Sequence, residues 1–171
     1  MNLREWSSND PEFMQSLPDE DKSESETVKI LGMEWDTKND TINVVPNSAA
    51  TNIVRTKRDL LREVSSFYDP MGYFSPIVLS AKIILQEVWK LNLAWDEDLP
   101  QQIVKKWEEI ATEMSNAAKT KIPRYVPTLP EEEQPELHIF CDASKTGYGT
   151  VAYLRTTRSV KLVFQRSELL L

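Results

Sequence analysis

The sequence predicts an α+β fold with an N-terminal β-hairpin, a central three-helix bundle and a C-terminal three-stranded sheet. Three observations predict it. Apolar residues recur at helical spacing between Thr56 and Ala118. Short apolar runs bounded by turn-forming clusters lie on either side of that stretch. Glycine is scarce, 4 in 171 residues, which disfavours a turn-rich all-β chain.

The first 26 residues are polar, with Pro11 and Pro18, and their acidic, serine-rich run from Asp19 to Glu26 reads as a loop or an inserted disordered segment. Residues 27–50 hold two strand-like stretches, Thr27 to Trp35 and Thr41 to Pro46. The cluster Asp36-Thr37-Lys38-Asn39-Asp40 separates them, so the pair reads as a hairpin.

Residues 51–120 hold the helices. Thr56 and Asp59 form a capping-box pattern, and Leu60, Leu61, Val64, Phe67 and Tyr68 follow at helical spacing. Asp69-Pro70-Met71-Gly72 ends that helix, because proline disfavours helical geometry in the residue before it and glycine accepts a left-handed cap. The second helix opens with Ser75 as cap and Pro76 at its first position, and runs to about Asn92. The third opens near Asp98 and Pro100 and carries Ile103, Val104, Trp107, Ile110, Ala111 and Met114 along one face. A small bundle with a Leu/Ile/Trp core accommodates all three.

Residues 121–136 contain Pro123, Pro127, Pro130 and Pro135 around Glu131-Glu132-Glu133. Each proline removes a backbone donor, so the segment reads as an extended linker and the best domain boundary. Strands are expected over Leu137 to Cys141, Tyr148 to Leu154 and Val160 to Gln165 in the last unit, 137–171.

Composition excludes several classes. Hydrophobic residues at 40% and charged residues at 27% fit a globular chain. One cysteine, Cys141, excludes an internal disulfide, and one histidine, His138, argues against a His/Cys zinc site. The most apolar stretch, Ile77 to Trp95, is broken by Lys82, Gln86, Glu87 and Lys90, so no membrane span is expected. With no signal-peptide core at the start, these features predict an intracellular soluble protein without singling out cytoplasm or nucleus.

The net charge of −7 opposes phosphate binding overall, yet Arg55, Lys57, Arg58 and Arg62 cluster at the start of the first helix. Partial pairing with Asp59 and Glu63 is the favoured reading of that cluster. Trp89, Trp95 and Trp107 could stack bases, although apolar stripes at this spacing favour core roles. Asp142 is the one candidate for catalysis. It closes a strand beside a turn rich in Gly147 and Gly149, where a carboxylate can meet a metal ion. From the residues alone a turn-capping role for it is favoured by about two to one. Glu168, the nearest acid downstream, reads as a surface residue.

Taken in order, several motifs add up to a more specific signal. They are Leu3-Arg4-Glu5-Trp6-Ser7, Leu31-Gly32-Met33-Glu34-Trp35-Asp36, Thr56-Lys57-Arg58-Asp59-Leu60, Phe67-Tyr68-Asp69-Pro70-Met71-Gly72, Leu85-Gln86-Glu87-Val88-Trp89, Trp95-Asp96 and Asp142-Ala143-Ser144. This succession resembles the Pol polyprotein of BEL/Pao-type LTR retrotransposons over nearly the whole chain.

The resemblance implies a palm segment over 1–26, a primer-grip-like hairpin over 27–50, thumb- and connection-like helices over 51–120, and a truncated ribonuclease H-like domain over 137–171. It implies nucleic-acid contacts at Leu31, Gly32, Trp35, Lys57, Arg58 and Arg62, where the absent side chain of Gly32 would let a strand approach closely. Asp142 matches the first metal-binding aspartate of the ribonuclease H fold, which uses Mg2+ in the intact family. A primer–template and the remainder of Pol are the implied partners.

The departures are equally specific. The polymerase's paired aspartates are absent, the helix that supplies the second ribonuclease H carboxylate is missing, and residues 165–171 fit the family poorly. The expectation is therefore a Pol fragment without catalysis on its own and without bound Mg2+. The alternative is a domesticated protein-interaction or scaffold module built on the helices.

Overall fold

The computed structural model describes residues 4–45, 53–125 and 134–170. Among them lie four α-helices and two antiparallel sheets, one of four strands and one of three. The mixed helix-and-sheet composition matches the expectation, with several differences of detail.

The polar start is more ordered than its composition suggests. Asp10 accepts the backbone N–H groups of Glu12 and Phe13 and caps a short helix, α1 (Pro11–Ser16). The Asp-Pro pair is itself a helix-start signal, with proline where no donor is needed.

The expected two-stranded hairpin contains three strands: β1 (Thr27–Ile30), β2 (Met33–Asp36) and β3 (Thr41–Asn43). The stretch read as one strand, Thr27 to Trp35, folds back at Leu31-Gly32. Both turn residues have left-handed φ, 49° and 80°, as a two-residue hairpin turn matching strand twist requires. The second turn falls where the sequence placed it, with Asp36 Oδ1 accepting the Asn39 N–H.

A fourth strand, β4 (Ile122–Pro123), comes from the stretch expected to be an extended linker. It pairs with β3, Ile42 opposite Ile122. Two features favour pairing over linker: Ile122 packs against the core, and Pro123 sits on an edge strand, where its missing donor is tolerated. Arg124 then reaches back, its N–H to the Asp40 carbonyl and its guanidinium to the Asp40 carboxylate at 2.6 Å.

The helices are α2 (Lys57–Ser66), α3 (Ser75–Lys90) and α4 (Gln101–Ala117). The capping box that opens α2 is complete: Thr56 accepts the Asp59 N–H, and Asp59 accepts the Thr56 N–H. At α3, Ser75 is the first helical residue rather than the cap. Asp69 supports this helix start instead, its two carboxylate oxygens accepting the N–H groups of Tyr73 and Phe74. Met33, Trp35 and Ile42 from the first sheet share one buried core with Leu60, Ile84, Val88, Ile103 and Trp107 from the helices.

The second sheet runs β5 (Glu136–Ala143), β6 (Gly147–Arg155) and β7 (Val160–Leu169), in spatial order β5-β6-β7. β7 extends through Leu169, so most of the stretch expected to depart from the pattern is regular strand paired with β6, Glu168 opposite Tyr148. No apolar side chain of this sheet joins the buried core. Leu137, Ile139 and Phe140 on the edge strand are 60, 61 and 57% exposed.

The sheet is held by the turn before α3. The Gln165 N–H donates to the Met71 carbonyl at 3.0 Å, and the Ser75 hydroxyl reaches the Gln165 carbonyl at 3.4 Å. Further along α3, Lys82 pairs with Glu168 at 3.3 Å. Gly72 makes the approach possible: a Cβ there would lie 1.6 Å from the Gln165 carbonyl oxygen.

Candidate nucleic-acid interface and the Asp142 position

Leu31, Gly32 and Trp35, grouped by sequence as one contact region, occupy different settings. Leu31 stands at the hairpin tip, 71% exposed. Gly32 faces the Tyr68 ring; an added Cβ would meet its Cδ1 at 2.6 Å. This glycine therefore has two local reasons to be glycine, its left-handed φ and the ring packed on it. Trp35 is 7% exposed. Its indole N–H donates to Asp40 at 2.9 Å, and the Arg124 guanidinium lies 4.9 Å from its ring centre. Trp35 thus serves the core that joins the first sheet to the helices.

The basic cluster divides as well. Arg62 bonds Asp59 at 3.0 Å and approaches Glu63 at 3.6 Å, both within its own helix. Burial works to raise the Asp59 carboxyl, but the Thr56 hydroxyl, the backbone N–H groups of Arg55 and Thr56, and the Arg62 charge outweigh it and hold it below its ordinary value. Arg58 makes a two-pronged pair with Asp96, Nε at 2.7 Å and Nη2 at 3.0 Å. That hydrogen bonding lowers the Asp96 carboxyl and raises the guanidinium.

Lys57 differs from both. Among the described residues it has no carboxylate partner, and its ammonium lies 4.3 Å from the Trp89 ring centre and 5.4 Å from that of Trp95. Of the three tryptophans assigned to the core by their spacing, only Trp107 is buried, at 6% exposure; Trp89 and Trp95 are 41 and 47% exposed. Trp89 lies one residue past the buried Val88, about 100° round the helix. Trp95 lies in the loop beyond, so neither belongs to the inward stripe. The exposed cation–aromatic cluster was the part of this region that spacing missed.

Asp142 is the second-last residue of β5, exposed, and pairs with Gly149. Gly149 in turn pairs with Ser167. Directly opposed residues in an antiparallel ladder share a face, and neighbours along a strand alternate. Asp142 and Ser167 are therefore on one face and Glu168 is on the other, where Lys82 engages it. Burial works to raise the Glu168 carboxyl, but Lys82 and Arg166 outweigh it and keep it low. A shallow cleft of about 240 Å³ beside Asp142 is lined by Phe140, Thr150, Gln165 and Ser167, with no second carboxylate.

Among the described residues no group of three or more His, Cys, Asp or Glu could hold a metal ion. A pair of catalytic cations, held roughly 4 Å apart, needs several carboxylates around it. The donor set around Asp142 does not fit that arrangement.

A larger cleft of about 490 Å³ lies between α2, α3 and β7, with Asp69, Ser75, Lys82 and Glu168 among its lining residues. Burial pushes the Asp69 carboxyl up, against backbone N–H groups of Phe74, Tyr73 and Gly72 that pull it down. Its polar groups are engaged in holding the turn and the sheet together. The Phe67-to-Gly72 motif, among the most distinctive in the sequence, thus has its place at the joint between helices and sheet.

Residues 56–169 match the Pao retrotransposon-like RNaseH-like domain, and the chain belongs to that family. No curated protein matches it. Among solved structures it is similar to a foamy viral protease-reverse transcriptase in complex with RNA/DNA hybrid. The two are 14% identical with a TM-score of 0.49, over 88% of this chain and 19% of that one. This chain thus spans about a fifth of the length of that protein. Among the described residues no helix is long and apolar enough to cross a membrane.

Proposed function

We propose that this chain is the part of a BEL/Pao-type Pol polyprotein in which the end of the reverse transcriptase meets the ribonuclease H-like domain. In this reading it contacts a primer–template through its helical face and does not cleave phosphodiester bonds by itself. The family match supports the Pol assignment. The observation that carries the functional part is the isolation of Asp142. It occupies the position that the family resemblance gives to a metal-binding aspartate, yet the cleft beside it is lined by no second carboxylate, and Glu136, the other acid on that face of β5, lies six residues away along the strand. One carboxylate cannot fix two cations in line with a scissile phosphate.

The test has two arms. An RNA/DNA hybrid incubated with the chain and magnesium is expected to give no cleavage that Asp142→Asn abolishes. Magnesium-dependent, Asp142-dependent cleavage would overturn the reading. Binding to a primer–template duplex at rising salt is expected to weaken steeply, as phosphate contacts release counterions. A dissociation constant above about 100 μM at low salt, weaker than ordinary non-specific binding, would remove the nucleic-acid role and leave the scaffold reading.

A further inference from the structure

Of the surface features outside the Asp142 position, the most fully built is the corner where the N-terminal turn of α2 meets the end of α3. Two indoles stand there nearly perpendicular, 89° apart with ring centres separated by 5.7 Å. Tryptophan is highly buried on average, yet each of these leaves close to half its surface in water. The Lys57 ammonium lies within cation–π range of both rings.

The loop that carries Trp95 is fixed rather than loose. The Arg58 N–H donates to the Trp95 carbonyl at 3.2 Å, the Leu99 N–H to the Arg55 carbonyl at 2.8 Å, and the Arg58 guanidinium grips Asp96. An exposed aromatic pair therefore comes preassembled, at no ordering cost on binding, beside a cation without a carboxylate partner.

We infer that Trp89, Trp95 and Lys57 form a stacking site for an unpaired nucleotide of single-stranded RNA or DNA. The base would lie on an indole face, and Lys57 would meet the adjoining phosphate. This inference rests on the nucleic-acid reading above and adds the strand type and the residues. The chemistry favours a nucleotide over a protein partner: the site offers exposed aromatic rings with a lysine ammonium over one of them, and stacking rings beside positive charge are the combination that binds single strands without regard to sequence. Arg58 is a positioning residue here, since Asp96 occupies its guanidinium. Arg62 lies outside the site.

The experiment uses the full chain with an oligothymidylate of about a dozen nucleotides, and a duplex of the same length for comparison. Trp89→Ala is expected to weaken single-strand binding by about tenfold, within the range of one base-stacking contact. Trp89→Phe, which keeps an aromatic face, should restore most of that loss. Lys57→Ala should lower the slope of log affinity against log salt by about 0.7, one single-strand phosphate. Arg158→Ala, a charge change in the turn between β6 and β7, should leave both unchanged.

Single-strand affinity that survives Trp89→Ala, or equal losses for single strand and duplex, would overturn the inference while leaving the nucleic-acid reading standing. Failure of the wild-type chain to bind either probe would sink both. Should the alanine variant lose its folded circular-dichroism signal, Lys57→Ala and quenching of indole fluorescence by the oligonucleotide decide the matter.

Discussion

Replacing Gly72 by alanine tests the joint between helices and sheet directly. Two penalties add. The residue sits at φ +73°, where an L side chain costs roughly 1–2 kcal/mol. The new Cβ would also lie 1.6 Å from the Gln165 carbonyl oxygen and 2.5 Å from its carbon, both backbone atoms. No side-chain rotation relieves that contact, so β7 must retreat from the turn. Retreat breaks the Gln165 N–H bond to Met71 and the weaker Ser75 contact, worth about 1 kcal/mol together. It also stretches the part-exposed Lys82–Glu168 pair, worth about 0–1 kcal/mol.

The sum is about 3 kcal/mol, a large share of a typical stability of roughly 5–15 kcal/mol. Urea unfolding followed by tryptophan fluorescence reads it; with a slope of about 2 kcal/mol per molar, the midpoint should fall by about 1.5 M. Gly149→Ala is the internal control. It lies in β6 without a left-handed φ, and its added Cβ would meet the Ser167 Oγ at 3.4 Å and the Arg166 carbonyl oxygen at 3.7 Å. Its midpoint should move by less than about 0.3 M. Equal small shifts for the two variants would refute the idea that β7 is clamped at Gly72.

Three further outcomes are expected. Gly32→Ala should destabilise by about 1–2 kcal/mol through its left-handed φ. The loss should persist in a Tyr68→Ala background, because that half-exposed ring can swing aside; a loss that vanishes there would mean that the ring contact dominates. Asp36 is held at about 2, against an ordinary 3.8, by the side-chain amide and backbone N–H of Asn39, with Lys121 assisting against burial. Since the folded value is the lower one, the stabilisation is present in full above pH 3.8 and is lost as pH falls toward 2; Asn39→Ala should raise the midpoint seen by carboxyl-carbon NMR, and an unmoved midpoint would refute this cause. On the open edge strand, Ile139→Lys should reduce concentration-dependent self-association in sedimentation, since a charge on an exposed apolar edge opposes strand-to-strand pairing; unchanged association would place the contact elsewhere.

What was legible in the sequence was local. The Thr56–Asp59 capping box and the Asp36-to-Asp40 turn each depend on residues within a few positions of one another, and each formed as read; α2 instead ends at Ser66, ahead of the Asp69-Pro70 stop, and Asp69 supports the start of α3. The Leu31-Gly32 turn was less visible because leucine seldom takes a left-handed φ; only the glycine beside it carried the signal. The basic cluster was legible with part of its charge balance, since Arg62 pairs with Asp59 and Glu63 as expected, but the Arg58 partner Asp96 lies 38 residues away. Trp89 and Trp95 were misplaced by a spacing argument that holds for buried stripes and fails at a helix end. Asp142 was placed at its strand correctly within one residue. Its isolation became visible only once the ladder register put Ser167 beside its row and turned Glu168 to the opposite face.

The proline-rich stretch shows how composition and packing can point in different directions. Four prolines and four glutamates over 121–136 mark a boundary by composition. Contacts nonetheless tie its start to both sheets. Ile122 and Arg124 bind the first sheet, and the Lys161 ammonium on β7 donates to the carbonyls of Pro123 and Tyr125. The second sheet contributes nothing to the buried apolar core, and it meets the helices where β7 lies against α3 and the turn before it. Its order depends on α3 and on the turn at Gly72. The family match runs from Thr56 without regard to the prolines, which is the extent expected if helices and sheet are one structural unit. On that basis the motif from Phe67 to Gly72 serves architecture first: it brings β7 against α3, and through the ladder it fixes where β5 presents Asp142.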